Sequence, residues 1–281
     1  MENLFAPSTI TELLNRYNLA PLKKLGQNFL KDEHVVNTIA EAAVPDGGYV
    51  LEIGPGLGVL THALAKRAGK VVAVELDAGM VRVLSDTLSE HQNVTILHQD
   101  ALKCDLRRIG EEYFGGKPFS VVGNLPYYIT SKLLLHVLES GAPVTALTVM
   151  VQKEVAERLN AQPGTAEYGA LTASVAYFGN TERICSVSRD CFLPAPDVDS
   201  AVVRLLPKPA VTASRKTYVR VVRGLFAQRR KTLLNNLKRE FSLSSDTANS
   251  ILVSCGLDPN CRAETLSREQ FSALANILDT L

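Results

Sequence analysis

A side-chain amide, two backbone carbonyls and an aromatic ring stand together at Asn124-Leu125-Pro126-Tyr127. Ser120-Val121-Val122 runs into Gly123 just before them, so the group falls at a strand's C-terminal end, where open α/β sheets bind ligands. Pro126 has no N–H and a fixed φ, which leaves the carbonyls of Asn124 and Leu125 less tied to regular structure. Two acceptors beside a π face suit a planar amine that has to be held, stacked and polarised. An exocyclic amino group of a nucleobase is such an amine. By itself the tetrapeptide reads equally well as a strand ending in an ordinary turn.

A second constellation narrows the chemistry. Tyr49 to Ile53 reads as a buried strand feeding Gly54-Pro55-Gly56-Leu57-Gly58, with a helix from Val59 to Arg67. Glycines let a ligand approach the backbone, and the helix start offers free N–H groups. Glu75 ends the next strand about twenty residues after the turn, where an acid can accept hydrogen bonds from both ribose hydroxyls. Glu52 precedes the first glycine. A pyrophosphate has no use for a carboxylate there, whereas a ligand carrying sulfonium and ammonium charges tolerates it well. This favours S-adenosylmethionine over a nicotinamide dinucleotide. Asp100 closes a third strand, Val94 to His98, and can accept from an adenine amine, cap the next segment, or do both.

The elements that must position these groups alternate. Helices over 33–43, 80–89, 131–139 and 153–159 and strands over 49–53, 71–74, 94–98, 120–124 and 146–151 predict a mostly parallel sheet covered on both faces. Asp32 caps the helix that buries Val35, Val36, Ile39 and Ala43. Thr9 and Glu12 form a capping box for a helix over 9–18. A helix over 168–178 precedes strands over 183–187 and 201–205, which are expected to form an antiparallel edge. Between those strands, prolines 194 and 196 stiffen a loop that would present Phe192, although a phenylalanine taken in isolation reads better as core. Pro207-Lys208-Pro209 marks a boundary, which gives an α/β domain over 1–207 and a small all-α domain over 208–281.

Composition excludes several classes. The 281 residues carry 46% hydrophobic and 21% charged side chains, as in a soluble globular protein. No stretch approaches the length of a membrane span. Polar residues from Glu2 to Arg16 interrupt any secretory signal. Five scattered cysteines without a C-x-x-C pair fit a reducing cytoplasm and argue against disulfides or zinc. The five histidines are dispersed, and no metal site is expected. The net charge of +1 conceals an asymmetry, because Ala201 to Arg239 holds eleven Lys or Arg and no acid. A one-signed block of this length reads as a polyanion surface. Arg220, Arg223, Arg229, Arg230 and Lys231 are its candidate nucleic-acid contacts.

Taken in order, Leu25-Gly26-Gln27-Asn28-Phe29-Leu30, Glu52-Ile53-Gly54-Pro55-Gly56, Glu75-x-Asp77, Gln99-Asp100-Ala101, Asn124-Leu125-Pro126-Tyr127, Phe192-x-Pro194-x-Pro196 and Phe226-x-x-Arg229-Arg230-Lys231 resemble the ribosomal RNA adenine dimethyltransferases that modify two adjacent adenosines near the 3′ end of small-subunit rRNA. The resemblance runs from about Lys23 to Leu237. It implies a Rossmann-like class I methyltransferase sheet, S-adenosylmethionine as cofactor and 16S rRNA of the small ribosomal subunit as substrate. It further implies that Asn28 and Leu30 help close the cofactor site, with Gly54 and Gly56 at the methionine part, Glu75 at the ribose, and Asp100 and Ala101 at the adenine. Asn124, with Leu125 and Pro126, would join that site to the target base, which Tyr127 and Phe192 would sandwich. A monomer is expected. A related large-subunit enzyme, a DNA adenine methyltransferase, a nicotinamide dehydrogenase and a binding-only ribosome-assembly factor are the alternatives.

Overall fold

The computed structural model describes residues 4–22, 26–208 and 211–280. Lys23, Lys24, Leu25 and Pro209 lie outside them. The elements in chain order are α1 (Pro7–Arg16), β1 (Phe29–Leu30), α2 (Glu33–Ala43), β2 (Tyr49–Ile53), α3 (Val59–Arg67), β3 (Lys70–Glu75), α4 (Ala78–Thr87) and β4 (Val94–His98). Next come α5 (Leu106–Phe114), β5 (Phe119–Asn124), α6 (Thr130–Glu139), β6 (Val144–Gln152), α7 (Lys153–Leu159), α8 (Ala170–Ala176) and β7 (Gly179–Val187). Finally there are β8 (Phe192–Leu193), β9 (Ser200–Pro207), α9 (Arg215–Phe226), α10 (Leu233–Phe241), α11 (Ser245–Ser254) and α12 (Arg268–Leu278).

Seven strands form one sheet in the order β4-β3-β2-β5-β6-β9-β7. β4 through β6 pair in parallel, and β9 joins β6 antiparallel. The central strands are apolar runs because both faces are covered: Val50, Leu51, Val71, Val72, Val121 and Val122 are all buried. Order reverses at β2, whose neighbours are β3 and β5. Ligands bind beyond the carboxyl ends of strands at such a point.

The local signals mostly read true. Asp32 Oδ1 accepts from the Val35 N–H at 3.0 Å, and Val35, Val36, Ile39 and Ala43 are buried. The Thr9 capping box does not form. Pro7 sits in the first turn and starts the helix early, so Ala6 is the cap residue and Thr9 lies inside. Helix α5 had no counterpart in the sequence reading.

The chain forms two compact units, Met1–Ala156 with Glu182–Pro207, and Glu157–Thr181 with Lys208–Leu281. A boundary at 207 does not account for residues 157–181, which pack with the C-terminal helices. Tyr168 and Ala173 share an apolar cluster with Tyr218, Leu225 and Phe271. The Tyr168 hydroxyl donates to the Leu266 carbonyl at 2.8 Å and that of Tyr218 to the Ala173 carbonyl at 3.1 Å.

Candidate active site

β2 and β5 end side by side, with Ile53 opposite Gly123. The next residues, Gly54 and Asn124, therefore face each other across the switch point. Asn124 Nδ2 donates to the Asn28 carbonyl at 3.1 Å, which identifies the nitrogen end of the amide and leaves Oδ1 free to accept. Leu125 buries its side chain, and its carbonyl accepts no hydrogen bond among the described residues. Its N–H goes to the Met150 carbonyl at 3.4 Å, while the Pro126 carbonyl accepts from the Ile129 N–H at 3.1 Å. Two acceptors are thus held open on a turn whose other groups are fastened.

The segment before β1 braces this turn. Gly26, at φ +63°, lets its backbone pack against Pro126, whose Cβ would lie 3.4 Å from a Cβ placed there. Gln27 Nε2 donates to Asp77 Oδ2 at 3.0 Å. Asn28 holds Asn124, and the Phe29 ring lies against Gly56. Leu30 pairs with Phe192 in the two-stranded β1–β8 sheet. Four consecutive residues, Gln27 to Leu30, thereby secure four separate parts of the site.

Between these walls lies a cleft enclosing about 1060 Å³ of empty space, its open mouth included. Asn28, Leu30, Gly54, Gly56, Glu75, Asp100, Ala101 and Asn124 all line it. Gly54 and Gly56 are both left-handed, at φ +71° and +58°. Glu75 accepts from the Gly56 N–H at 3.2 Å and the Asp77 N–H at 2.9 Å. Burial pushes its pKa up despite those bonds, and each oxygen keeps lone-pair capacity for a further donor. Asp100 Oδ1 caps the short turn after it, accepting from the Leu102 N–H at 3.0 Å. Among the described residues, three carboxyl side chains, of Glu52, Glu75 and Asp100, line the cleft, and no Lys, Arg or His does. Such a wall repels a pyrophosphate and accepts a cation.

One expectation is corrected. Phe192 is not presented: it is 2% exposed and belongs to the apolar core around β1. Pairing of Leu30 with Phe192 draws the ring inward, a long-range constraint invisible in the local prolines. Tyr127 is half-buried with its hydroxyl hydrogen-bonded to Ser200 Oγ at 2.7 Å, and it is Tyr128, exposed, that lines the cleft. Glu52, Gln27, Phe29 and Tyr128 were absent from the sequence-derived site set. Glu52 carried a signal in its place before the glycine turn; Tyr128 carried none beyond adjacency.

The basic candidates lie in the helical unit, where they divide. Arg229, Arg230 and Lys231 fall in the turn between α9 and α10, not on one continuous helix. Buried Asn236 ties that turn down, its Nδ2 donating to the carbonyls of Leu225, Gln228 and Lys231 at 2.9, 3.1 and 3.4 Å. The side chains of Arg223, Arg230 and Lys231 are exposed and make no hydrogen bond or ion pair among the described residues. Arg229 reaches the Tyr168 carbonyl at 3.3 Å. Arg220 is committed internally, to Glu240 at 3.2 Å and over the Phe241 ring at 4.3 Å. No described helix is long and apolar enough to cross a membrane.

Known proteins resemble this chain in sequence and fold. A family model described as ribosomal RNA adenine dimethylase matches residues 21–280. A Bacillus mycoides protein named ribosomal RNA small subunit methyltransferase A is 44% identical over 99% of this chain and 98% of its own length. A Bacillus anthracis protein of the same name matches equally well. Among solved structures, a dimethyladenosine transferase from Plasmodium falciparum superposes with a TM-score of 0.75 at 27% identity, covering 90% of this chain and 98% of that one. The 23S rRNA methyltransferase ErmE gives 0.69 at 29% identity, covering 90% of this chain and all of the other. The sheet order, the glycine turn facing Asn124 and a family match spanning nearly every described residue lead to one assignment: this chain belongs to the ribosomal RNA adenine dimethylase family.

Proposed function

We propose that this protein transfers methyl groups from S-adenosylmethionine to N6 of two adjacent adenosines near the 3′ end of 16S rRNA, in the small ribosomal subunit or its precursor. It would act as a cytoplasmic monomer, giving N6,N6-dimethyladenosine and contributing to ribosome biogenesis. The observation that carries this reading is the fixed Asn124 amide, whose nitrogen is occupied by Asn28 and whose oxygen is left to the substrate.

The cleft fits the cofactor. Its carboxyl-lined wall, without basic residues among those described, suits a ligand with ammonium and sulfonium charges, and the left-handed Gly54–Gly56 turn leaves the backbone bare. When bound there, the cofactor supplies an electrophilic methyl group. The protein's own contribution is to the amine. Adenine N6 is a weak nucleophile because its lone pair is delocalised into the ring. Asn124 Oδ1 and the Leu125 carbonyl accept its two hydrogens, which favours a pyramidal nitrogen with the lone pair directed out of the ring plane. Positioning supplies much of the rate. No histidine lines the cleft, and none is required, because the proton is lost to water after transfer. Tyr127, held by Ser200, offers a stacking face. The target base leaves its stack at a cost of a few kcal/mol, least in an RNA loop. Arg223, Arg229, Arg230 and Lys231 provide phosphate contacts on the helical unit.

The test is methyl transfer from radiolabelled S-adenosylmethionine to small subunits lacking the modification, with large subunits in parallel. Label recovered as N6,N6-dimethyladenosine in small-subunit RNA alone supports the reading. Label in large-subunit RNA would move the protein toward the ErmE-like activity. Tight subunit binding without label would leave an assembly role.

A further inference from the structure

Glu52 is 1% exposed, and its Oε2 has no hydrogen-bond partner. It lies on β2 one residue before the strand's end and lines the cleft. The described groups facing it supply no positive charge. From β3 comes Glu75, a like charge, and from α3 comes Thr61, whose buried hydroxyl favours the ionised form but completes no hydrogen bond of standard geometry. Among the described residues, no Lys, Arg or His lines the cleft. A buried acid without an internal counter-charge stays neutral or waits for a cation from outside.

We propose that Glu52 exchanges its proton for the cationic methionine end of the cofactor, being a neutral carboxyl in the free protein and the ligand's carboxylate counter-ion in the complex. The inference rests on the cofactor reading above and adds a proton to its binding equilibrium. The carboxyl O–H bond breaks, the proton passes to solvent, and the carboxylate pairs with the ligand's positive charge; no electron is transferred. Desolvation first, then Glu75, pushes the Glu52 pKa up to about 8 in the free protein. A cation within about 4–6 Å lowers a carboxyl pKa by roughly 1–3 units. Near neutral pH the carboxyl therefore changes state as the cleft fills. The same exchange works as selection, because a neutral or anionic nucleotide cannot displace the proton.

Calorimetric titration of the full chain with S-adenosylmethionine at pH 7, in phosphate and in an amine buffer of high ionisation enthalpy, reads this directly. The wild type is expected to release between roughly half and one proton per ligand, and its affinity to strengthen up to about tenfold per pH unit between pH 6 and 8. Glu52→Gln, checked for a cooperative thermal transition, is expected to bind with the same heat in both buffers and a flat pH profile. Equal heats for the wild type in the two buffers would overturn the exchange while leaving the cofactor in place, and the wild-type titration needs no variant to fold. Undiminished proton release from Glu52→Gln would overturn it too. No saturable heat at any pH would remove the cofactor reading, and the exchange with it.

Discussion

Asn124 Nδ2 lies 3.1 Å from the Asn28 carbonyl oxygen, and through that bond a residue 96 positions earlier in the chain sets which end of the amide is left open to the cleft. Removing the amide should cost the acceptor without disturbing the cofactor wall. Asn124→Ala is expected to lower the single-turnover methylation rate on the order of 10²–10³-fold, with cofactor affinity changed far less. An unaltered rate would remove Asn124 from the chemistry.

Phe192 separates core from stacking roles. With its ring in the core beside β1, Phe192→Ala should destabilise the protein by about 3–5 kcal/mol, read by chemical denaturation. A residue that merely stacked on the target base would leave stability untouched.

The basic turn should split by function. Arg230→Ala and Lys231→Ala are each expected to reduce the salt dependence of RNA binding by about one unit of slope. Arg220→Ala should leave that slope unchanged, because its guanidinium serves Glu240 and Phe241. Filter-binding across a salt series distinguishes the two.

Asn236 supports that turn from within. Asn236→Ala strips a donor from three carbonyls, so a loss of about 1–3 kcal/mol is expected on unfolding. RNA affinity should fall with it, since Arg230 and Lys231 are no longer held in register.

The free protein should lose stability as pH rises. Glu52 has an ordinary value of 4.5, which burial raises to about 8. Its contribution is complete below pH 4.5. Between those values the unfolded chain gives up the proton that the folded chain retains, so stability falls by at most about 1.4 kcal/mol per pH unit until it levels off. Glu75, also raised by burial, adds in the same direction. Thermal melts from pH 5 to 8 should slope downward, and Glu52→Gln should flatten them in part.

Legibility followed the range of the interaction. Strands β2, β3 and β5 were plain because apolar runs ended in glycine or a functional polar residue, and Asp32 announced α2 through a contact three residues away. Of the cleft-lining candidates, Gly54, Gly56, Glu75, Asp100, Ala101 and Asn124 were readable because their motifs sit at strand ends, which the sheet gathers in one place, whereas Asn28 and Leu30 came only through the family resemblance. Helix α5 was missed although Asp105 caps it, accepting from the N–H groups of Arg107 and Arg108, and Gly115 closes it at φ +63°. Its buried face, Leu106, Ile109, Gly110 and Phe114, was also there to be read. The β1–β8 pairing and the burial of Phe192 depend on residues more than 160 positions apart, and residues 157–181 join the helical unit through Tyr168 and Ala173. No local pattern encodes such partners.

The strand order carries a consequence for synthesis. β7 is made before β9, yet in the sheet β9 lies between β6 and β7. During translation β7 therefore has no sheet neighbour until residues 200–207 emerge and slot in beside β6. β8 arrives in the same interval, and with it the partner of Phe29 and Leu30. Every described residue that lines the cleft has left the ribosome long before the strand that pairs with Phe29 and Leu30. A chain truncated before residue 192 would hold that whole lining without this fastening, so the final setting of Phe29 and Leu30 belongs to the last stage of building this domain.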